Sequence, residues 1–182
     1  MVFNPEIHHR RSIRLPSYDY AARGGYYVTI CAQEREPVFG RIRDGKMVLN
    51  EAGKIVEHTW FGLPRHNDHI ELDEFVVMPD HFHGIIHIVG AGSKPAPDSA
   101  PDRGYAMCPR GAGLEPAPTH GLPEIVRQFK TFSARRINAA NNTLGMPVWQ
   151  RNYYEHIIRN ETELNQIRRY IQENPLREDD AW

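Results

Sequence analysis

Two histidines separated by one residue are the first feature of the sequence that could carry chemistry. His81 and His83 flank Phe82 and follow Pro79-Asp80, at the start of a predicted strand. Because side chains alternate along a strand, both imidazoles should project from one face while Phe82 points into the core. Imidazole is a common metal ligand, so this spacing suits a metal site. Two polar residues on a solvated strand face would give the same pattern, and that alternative stays open.

A divalent ion held by two neutral imidazoles needs a further protein ligand. The last predicted helix offers two candidates, Tyr170 and Asn174, which are four residues apart. Helical spacing places both on the flank of an apolar arc formed by Leu164, Ile167 and Ile171. A buried tyrosine needs no functional explanation, but an amide on a buried arc is unusual unless something binds it. A bound metal would do so.

Other side chains with chemical potential fit less well. His87 shares the strand parity of the two histidines but lies roughly 13 Å from His83 at the usual strand rise, so we interpret it as a surface or core-edge residue. Ser133 lacks the downstream Asp and His order of a hydrolase, so serine chemistry is not expected. Trp149, Gln150 and Arg151 could stack on or grip an extruded base, although Trp149 could equally pack in the core.

Composition limits the class of protein. The 182 residues, 40% of them hydrophobic, are enough for one domain with its own core. The two cysteines, Cys31 and Cys108, cannot form a disulfide framework or a four-thiolate zinc site, so we expect a reducing cytoplasm. No apolar run approaches membrane-spanning length, and the basic N-terminus lacks the apolar stretch of a secretory signal. The sequence therefore predicts a soluble protein with no membrane partner.

The formal net charge of −1 argues against a uniformly basic nucleic-acid coat, but the basic residues are unevenly distributed. Between Leu122 and Arg177 there are nine basic and five acidic residues. This surplus and a basic N-terminal arm could form a phosphate-binding surface, with solvated helix faces as the alternative. The candidate DNA-binding residues are Arg10, Arg11, Arg14, Arg127, Lys130, Arg151, Arg168 and Arg169.

These residues must be positioned by alternating strands and helices. Periodicity and turn residues predict strands over 26–32, 70–78, 81–89 and 153–158, a hairpin turning at Asp44-Gly45, and helices over 51–63, 122–142 and from 161 until Pro175 stops the last one. This order predicts an α+β fold, a ferredoxin-like split βαβ core whose antiparallel sheet has helices packed on it. The Gly- and Pro-rich residues 90–121 are predicted to be a flexible insertion within a single domain spanning 1–182.

Several motifs, taken in order, resemble the REP-associated tyrosine transposases, which are single-strand transposases with a His-hydrophobic-His metal motif and one catalytic tyrosine. The resemblance covers most of the chain and rests on RRSIRL at 10–15, YDY at 18–20, YVTI at 27–30, VVMPDHFHGII at 76–86, VWQR at 148–151, YEHIIRN at 154–160 and YIQENP at 170–175. Two departures are the long Pro/Gly-rich segment 90–121 and the short tail ending at Trp182. Both bear on substrate contacts rather than on the motifs.

The resemblance implies that His81, His83 and Asn174 hold a divalent cation, and that Tyr170 on the C-terminal helix attacks a DNA phosphate. The implied activity is that of a sequence-specific single-stranded DNA endonuclease and strand transferase, acting on hairpin-forming repeats through a covalent phosphotyrosine. A cation helps because a phenol, with an ordinary pKa of about 10, is a poor nucleophile toward an anionic phosphodiester. Mg²⁺ or Mn²⁺ suits an imidazole-imidazole-amide site that keeps water positions open.

The resemblance also implies a partner, an oligomeric state and a location for the protein, and two other functions are alternatives to it. The partner would be single-stranded or hairpin DNA, and the protein a monomer or homodimer, cytoplasmic and associated with a bacterial nucleoid. With the nucleophile on the last helix, Tyr154 and His156 are interpreted as support or DNA contacts. A non-catalytic DNA-binding protein derived from a transposase is the alternative, although the joint presence of the four site residues argues against it. A histidine-triad nucleotide hydrolase would need a histidine where Ile85 stands.

Overall fold

The structure is a computed structural model that describes residues 18–89 and 121–179. The strands are β1 (Gly24–Cys31), β2 (Gly40–Arg43), β3 (Lys46–Leu49), β4 (Ile70–Val77), β5 (His81–Ile88) and β6 (Tyr154–Ile158). The helices are α1 (Glu51–His66), α2 (Leu122–Asn141) and α3 (Glu161–Asp179), and a 3-10 turn covers Gln33–Arg35. The arm with Arg10, Arg11 and Arg14 lies outside the described residues, as does the predicted insertion up to Gly121.

Four strands form one antiparallel sheet in the order β4-β5-β1-β6. Because α1 connects β1 to β4 and α2 precedes β6, the sheet and these helices have the predicted ferredoxin-like split βαβ arrangement. The strand β1 is a central strand, since it lies between β5 and β6. The strands β2 and β3 form the separate hairpin, in which Asp44 and Gly45 have φ values of 51° and 67°, as a tight two-residue turn requires.

The two faces of the sheet are covered by different helices. On one face α1 and α2 close an aromatic core in which the Trp60 ring centroid lies 4.8 Å from that of Phe82 and 5.6 Å from that of Phe129. On the other face α3 packs Leu164 and Ile171 against Ile85 of β5. Alternation along β5 therefore sends Phe82 into the first core and leaves His81 and His83 on the α3 side.

Two helices continue through a proline and end later than the sequence predicts. Pro64 lies inside α1, which ends at His66 instead of residue 63, and Pro175 lies inside α3, which extends to Asp179. Proline removes one backbone donor, but a helix that buries one face can tolerate this loss near its end. Pro175 is itself buried, so packing compensates. The prediction that Pro175 stops the last helix is wrong.

Side-chain hydrogen bonds cap the first turns of α1 and α3. Asn50 caps α1 by accepting a hydrogen bond from the Gly53 backbone N–H at 3.0 Å. Asn160 accepts from the Glu163 N–H at 2.9 Å, and the Glu163 carboxylate accepts from the Arg159 N–H at 2.7 Å. Within the described ranges, no helix is long and apolar enough to cross a membrane.

The close contact of β5 with α1 generates a stability prediction. A Cβ atom at Gly84 would lie 2.7 Å from two ring carbons of Trp60 and 2.8 Å from one of Phe82. Gly84→Ala should therefore lower the free energy of unfolding by about 1–3 kcal/mol, because the packed rings cannot move aside freely. Equilibrium urea denaturation measures this change.

Gly62→Ala is the matched control. Gly62 is inside α1 and a Cβ there would meet nothing within 4 Å. The control should raise the free energy of unfolding by about 0.5–1 kcal/mol through helix propensity. A Gly84→Ala protein as stable as wild type would contradict the close packing of β5 against α1.

Candidate active site

A cleft of about 390 Å³ opens on the α3 side of the sheet. It is lined by Tyr27, Thr29, Arg35, His81, His83, Tyr154, Tyr170 and Asn174. The four site residues named from the sequence, His81, His83, Tyr170 and Asn174, are all in this set. Two segments far apart in the chain therefore contribute to one cavity, which β5 lines from the sheet and α3 from above.

The two imidazoles converge within the cleft. His81 is 5% exposed and His83 is 4% exposed, which excludes the interpretation of two polar side chains on a solvated strand face. Their Nε2 atoms are 3.1 Å apart. Two lone pairs at this distance would repel each other, so the arrangement suits either a shared proton or a shared cation.

Each Nδ1 atom has a polar partner of its own. His81 Nδ1 lies 2.5 Å from Oδ1 of Asp80, whose carboxylate accepts a hydrogen bond from the ring N–H. His83 Nδ1 lies 2.7 Å from the Tyr27 hydroxyl oxygen and 2.8 Å from Thr29 Oγ1. A proton held at Nδ1 leaves the Nε2 lone pair available, which is the usual arrangement behind a metal-ligating histidine. The outer partners therefore orient both rings for coordination through Nε2.

The separation of the two Nε2 atoms is compatible with one shared cation. Two ligands at right angles around an ion at about 2.1 Å are about 3.0 Å apart, close to the observed Nε2 separation. Among the described residues, no three His, Cys, Asp or Glu side chains are grouped so that they could hold a metal ion. A third protein ligand would therefore be of another type. The Asn174 amide, 5% exposed and in the cleft wall, is suited to this.

Burial sets the protonation state of His83. Desolvation lowers its pKa to about 3, with electrostatic interactions with His81 and Arg35 adding to the effect and Asp80 opposing it. An imidazole with so low a pKa is neutral near pH 7, and the neutral form is the one that coordinates a metal. The site therefore holds His83 in a binding-competent state.

Burial acts on the neighbouring tyrosine as well. It raises the pKa of Tyr27 to about 12, against a hydrogen bond from Thr29 and with a further increase from Tyr170. The Tyr27 phenol therefore stays protonated and acts as a hydrogen-bonding partner of His83 rather than as a nucleophile.

Tyr170 lies at the rim of the cleft beside the imidazole pair. Its ring centroid is 5.5 Å from that of His83 and 6.4 Å from that of Tyr27, both in edge-to-face geometry. The residue is 37% exposed, so its hydroxyl can meet a ligand entering from solvent. Tyr154 lines the same cleft and is 63% exposed, so exposure alone does not distinguish the two phenols.

Arg35 and Asp80 are two functional residues that the sequence did not predict. Arg35 Nε lies 3.0 Å from Asp80 Oδ2, so the guanidinium anchors the carboxylate that orients His81. Glu34 and Arg35 both have positive φ values, 56° and 59°, which are uncommon for residues other than glycine. Asp80 could have been found from its place beside His81. Arg35 has no local signal, because only the fold brings it to the cleft.

Several residues assigned from sequence to DNA contact have intramolecular partners. Lys130 Nζ donates to the carbonyl oxygens of Gln150 and Arg151 at 2.6 and 3.0 Å, and burial lowers its pKa. Arg127 Nε donates to Glu124 at 2.7 Å. Lys130 therefore holds the 150–151 loop in this structure, and a contact of Lys130 with DNA stays a prediction.

Of the other residues predicted to contact DNA, some have intramolecular partners and others are exposed. The Arg168 guanidinium is bound to Asp73, with Arg168 Nη2 2.6 Å from Asp73 Oδ2, whereas Arg151 and Arg169 are exposed. Trp149 is 6% exposed and donates its Nε1 hydrogen to Ser133 Oγ at 2.9 Å. Trp149 is therefore a core residue instead of a base-stacking platform, and Ser133 is part of the core.

Comparisons with known proteins find one family match and two relatives in a single organism. Residues 114–174, which include Tyr170 and Asn174, match the family described as "Transposase IS200 like". An uncharacterised Haemophilus influenzae protein is 40% identical over 181 residues, covering 96% of this chain and 92% of the relative. A second protein of that organism, named provisionally as a REP-associated tyrosine transposase, is 26% identical over 159 residues, covering 87% and 74%.

A solved structure has the same fold. It is a REP-associated tyrosine transposase bound to a REP hairpin, with a TM-score of 0.55 and 17% identity, covering 91% of this chain and 74% of that one. The family match, the provisionally named relative and the fold point to one group. Over residues 114–174 the chain matches the IS200-like transposase family, and it is similar to the REP-associated tyrosine transposases.

Proposed function

We propose that the protein is a single-stranded DNA endonuclease and strand transferase, with Tyr170 as nucleophile and His81, His83 and Asn174 as ligands of Mg²⁺ or Mn²⁺. The observation that carries this proposal is the convergence of an accessible phenol, an imidazole pair and an amide in one cleft. The hairpin bound to the structural relative supports hairpin-forming repeats as the substrate class.

The chain's own groups suit attack on a phosphodiester. The Tyr170 oxygen would bond to phosphorus as the bond to one sugar oxygen breaks, leaving a phosphotyrosine on one DNA end and a hydroxyl on the other. A divalent cation, when bound, would stabilise the charge that develops on the non-bridging oxygens. The Arg35 guanidinium in the cleft wall adds a positive charge that attracts the phosphate.

The same intermediate explains strand transfer. A phosphotyrosine keeps the energy of the broken phosphodiester, so a second DNA hydroxyl can attack it and release Tyr170. In the first step the departing sugar oxygen gains the proton that the phenol loses, and in the second step Tyr170 gains the proton that the attacking hydroxyl loses. No external energy source is required. Gly40 to Lys46 matches the spacing Gly-x-x-x-x-Gly-Lys, but Met47 follows instead of Ser or Thr and the segment forms the β2–β3 hairpin, so it is not a loop that cradles nucleotide phosphates.

The nucleophile assignment predicts a covalent adduct. Wild-type protein, a labelled single-stranded oligonucleotide with a hairpin, and Mn²⁺ should give a denaturation-resistant protein–DNA species. Tyr170→Phe should lower its formation by about 10³-fold or more, because one oxygen is removed and the ring is kept. Denaturing gel electrophoresis measures the adduct, and thermal unfolding should show little change.

Tyr154→Phe is the matched control, since it makes the same change to the other exposed phenol of the cleft. This variant should still form the adduct. Loss of the adduct with Tyr154→Phe but not with Tyr170→Phe would reverse the assignment. DNA binding without any cutting by the wild-type protein would favour a non-catalytic DNA-binding protein, and cutting without any adduct would indicate water as nucleophile.

The metal assignment predicts graded losses of cation binding. Replacing both His81 and His83 with alanine should abolish Mn²⁺ binding measured by calorimetry. Asp80→Asn keeps both ligands but weakens the orientation of His81, so it should lower the affinity by about 10–100-fold. His58→Ala, which changes an exposed histidine on α1, is the control and should bind Mn²⁺ like wild type. Undiminished binding by the double variant would refute the site.

The position of the cleft predicts a requirement for unpaired DNA. The exposed rings of Tyr154 and Tyr170 border the cleft and could stack on splayed bases. Each such stacking contact is worth about 1–3 kcal/mol, and a paired base cannot make it. A hairpin with a single-stranded extension should therefore be cut at least about tenfold faster than the same sequence fully paired. Equal cutting rates of the two oligonucleotides would contradict this expectation.

A further inference from the structure

Helix α3 presents a different polar pair on each flank of its buried stripe. Tyr170 and Asn174, four residues apart, line the cleft on one flank. Arg168 and Gln172, also four residues apart, bind β4 on the other flank. Since successive residues are 100° apart, Arg168 and Tyr170 point about 200° away from each other. A rotation that loosens one flank must therefore move the other.

The β4 flank is held by a bidentate ion pair. Arg168 Nε lies 3.0 Å from Asp73 Oδ1, and Arg168 Nη2 lies 2.6 Å from Asp73 Oδ2. One turn further on, Gln172 Nε2 donates to Glu74 Oε1 at 3.0 Å. Asp73 and Glu74 fall within the irregularity of β4 between Leu72 and Phe75. Such a bulge turns side chains away from the regular pleat.

Asp73 is itself held on the sheet. Its Oδ2 lies 2.9 Å from Nε2 of His87 on β5, and its Oδ1 accepts from the Glu74 N–H at 2.8 Å. Burial raises the pKa of Asp73, but the hydrogen bonds from Arg168 and His87 outweigh burial and bring it to about 2. The carboxylate is therefore ionised and anchored from two strands, which makes it a fixed point for α3.

We propose that Asp73 and Arg168 are positioning residues that set the rotation of α3 and so aim Tyr170 and Asn174 at the histidine pair. This inference rests on the proposed function of those residues. The buried stripe of Leu164, Ile167 and Ile171 attracts α3 to the sheet, but apolar burial has no preferred direction. A bidentate pair does, because two parallel hydrogen bonds fix the guanidinium plane.

This role differs from the DNA contact expected for Arg168 from its sequence. A phosphate-binding arginine would affect DNA affinity, whereas a positioning residue affects the reaction of DNA that is already bound. A displacement of about 1 Å at a reacting group can cost about 10²-fold in rate. The two roles are therefore separated by the rate at saturating DNA.

The test uses Arg168→Gln, Asp73→Asn and the double variant in single-turnover adduct formation with the single-stranded hairpin oligonucleotide and Mn²⁺. At saturating DNA, each single variant should react about 10–100-fold more slowly than wild type, with a DNA Kd changed less than about threefold. The double variant should be no slower than the slower single variant, because the pair acts as a unit. Arg159→Gln removes an equal charge beside the start of α3 and should react like wild type.

Several outcomes would overturn the proposal. These are an unchanged rate at saturating DNA, an effect of Arg168→Gln confined to DNA Kd, additive losses in the double variant, or a rate that falls only in proportion to the unfolded fraction seen by circular dichroism. Rate loss in Arg159→Gln equal to that in Arg168→Gln would also refute it.

A second readout separates this proposal from the proposed function. Mn²⁺ affinity, measured by calorimetry without DNA, should fall in Arg168→Gln but not fall further when Arg168→Gln is added to Asn174→Ala. If wild-type protein forms no adduct, the nuclease assignment fails, and this Mn²⁺ comparison still decides whether the pair positions α3. Equal Mn²⁺ losses from Arg168→Gln with and without Asn174 would refute positioning.

Discussion

The site depends on the alternation of side chains along β5 and on the pairing of β5 with β1. Phe82 fills the core beneath α1 and α2, so its neighbours His81 and His83 must face α3. Pairing of Thr29 with His83 then places the hydroxyls of Tyr27 and Thr29 against His83 Nδ1. A slip of one residue would turn both imidazoles into the aromatic core, so packing and chemistry are specified together.

Burial then sets the protonation states of the side chains placed in this way. Desolvation keeps His83 neutral and Tyr27 protonated, which makes one a potential ligand and the other its hydrogen-bonding support. Asp80 accepts a hydrogen bond from the His81 ring and is anchored by Arg35, so a half-exposed cation indirectly orients a buried ring. Burial also lowers the local dielectric constant, which would strengthen the attraction between positive charges of the site and a phosphate. The cleft is thus prepared before any ligand arrives.

Helix α3 brings the second half of the site, and its docking has two physical components. Apolar packing on Ile85 holds it near the sheet, and polar contacts to β4 define its rotation. Pro175 is tolerated inside α3 because tertiary packing outweighs one missing backbone donor. The helix therefore continues past Asn174. A rigid sheet with a helix held at a defined angle suits a reaction that requires an in-line approach to phosphorus.

Local periodicity let the sequence predict the order of elements, the shared face of His81 and His83, and the one-turn spacing of Tyr170 and Asn174. These features depend on residues within a few positions of each other. The tertiary structure alone decided that Arg35 joins the cleft, that Lys130 holds a loop, and that Arg168 binds Asp73, 95 positions away. Such contacts arise from strand order and helix packing, which no short stretch of sequence encodes, because burial and partner choice belong to the whole fold.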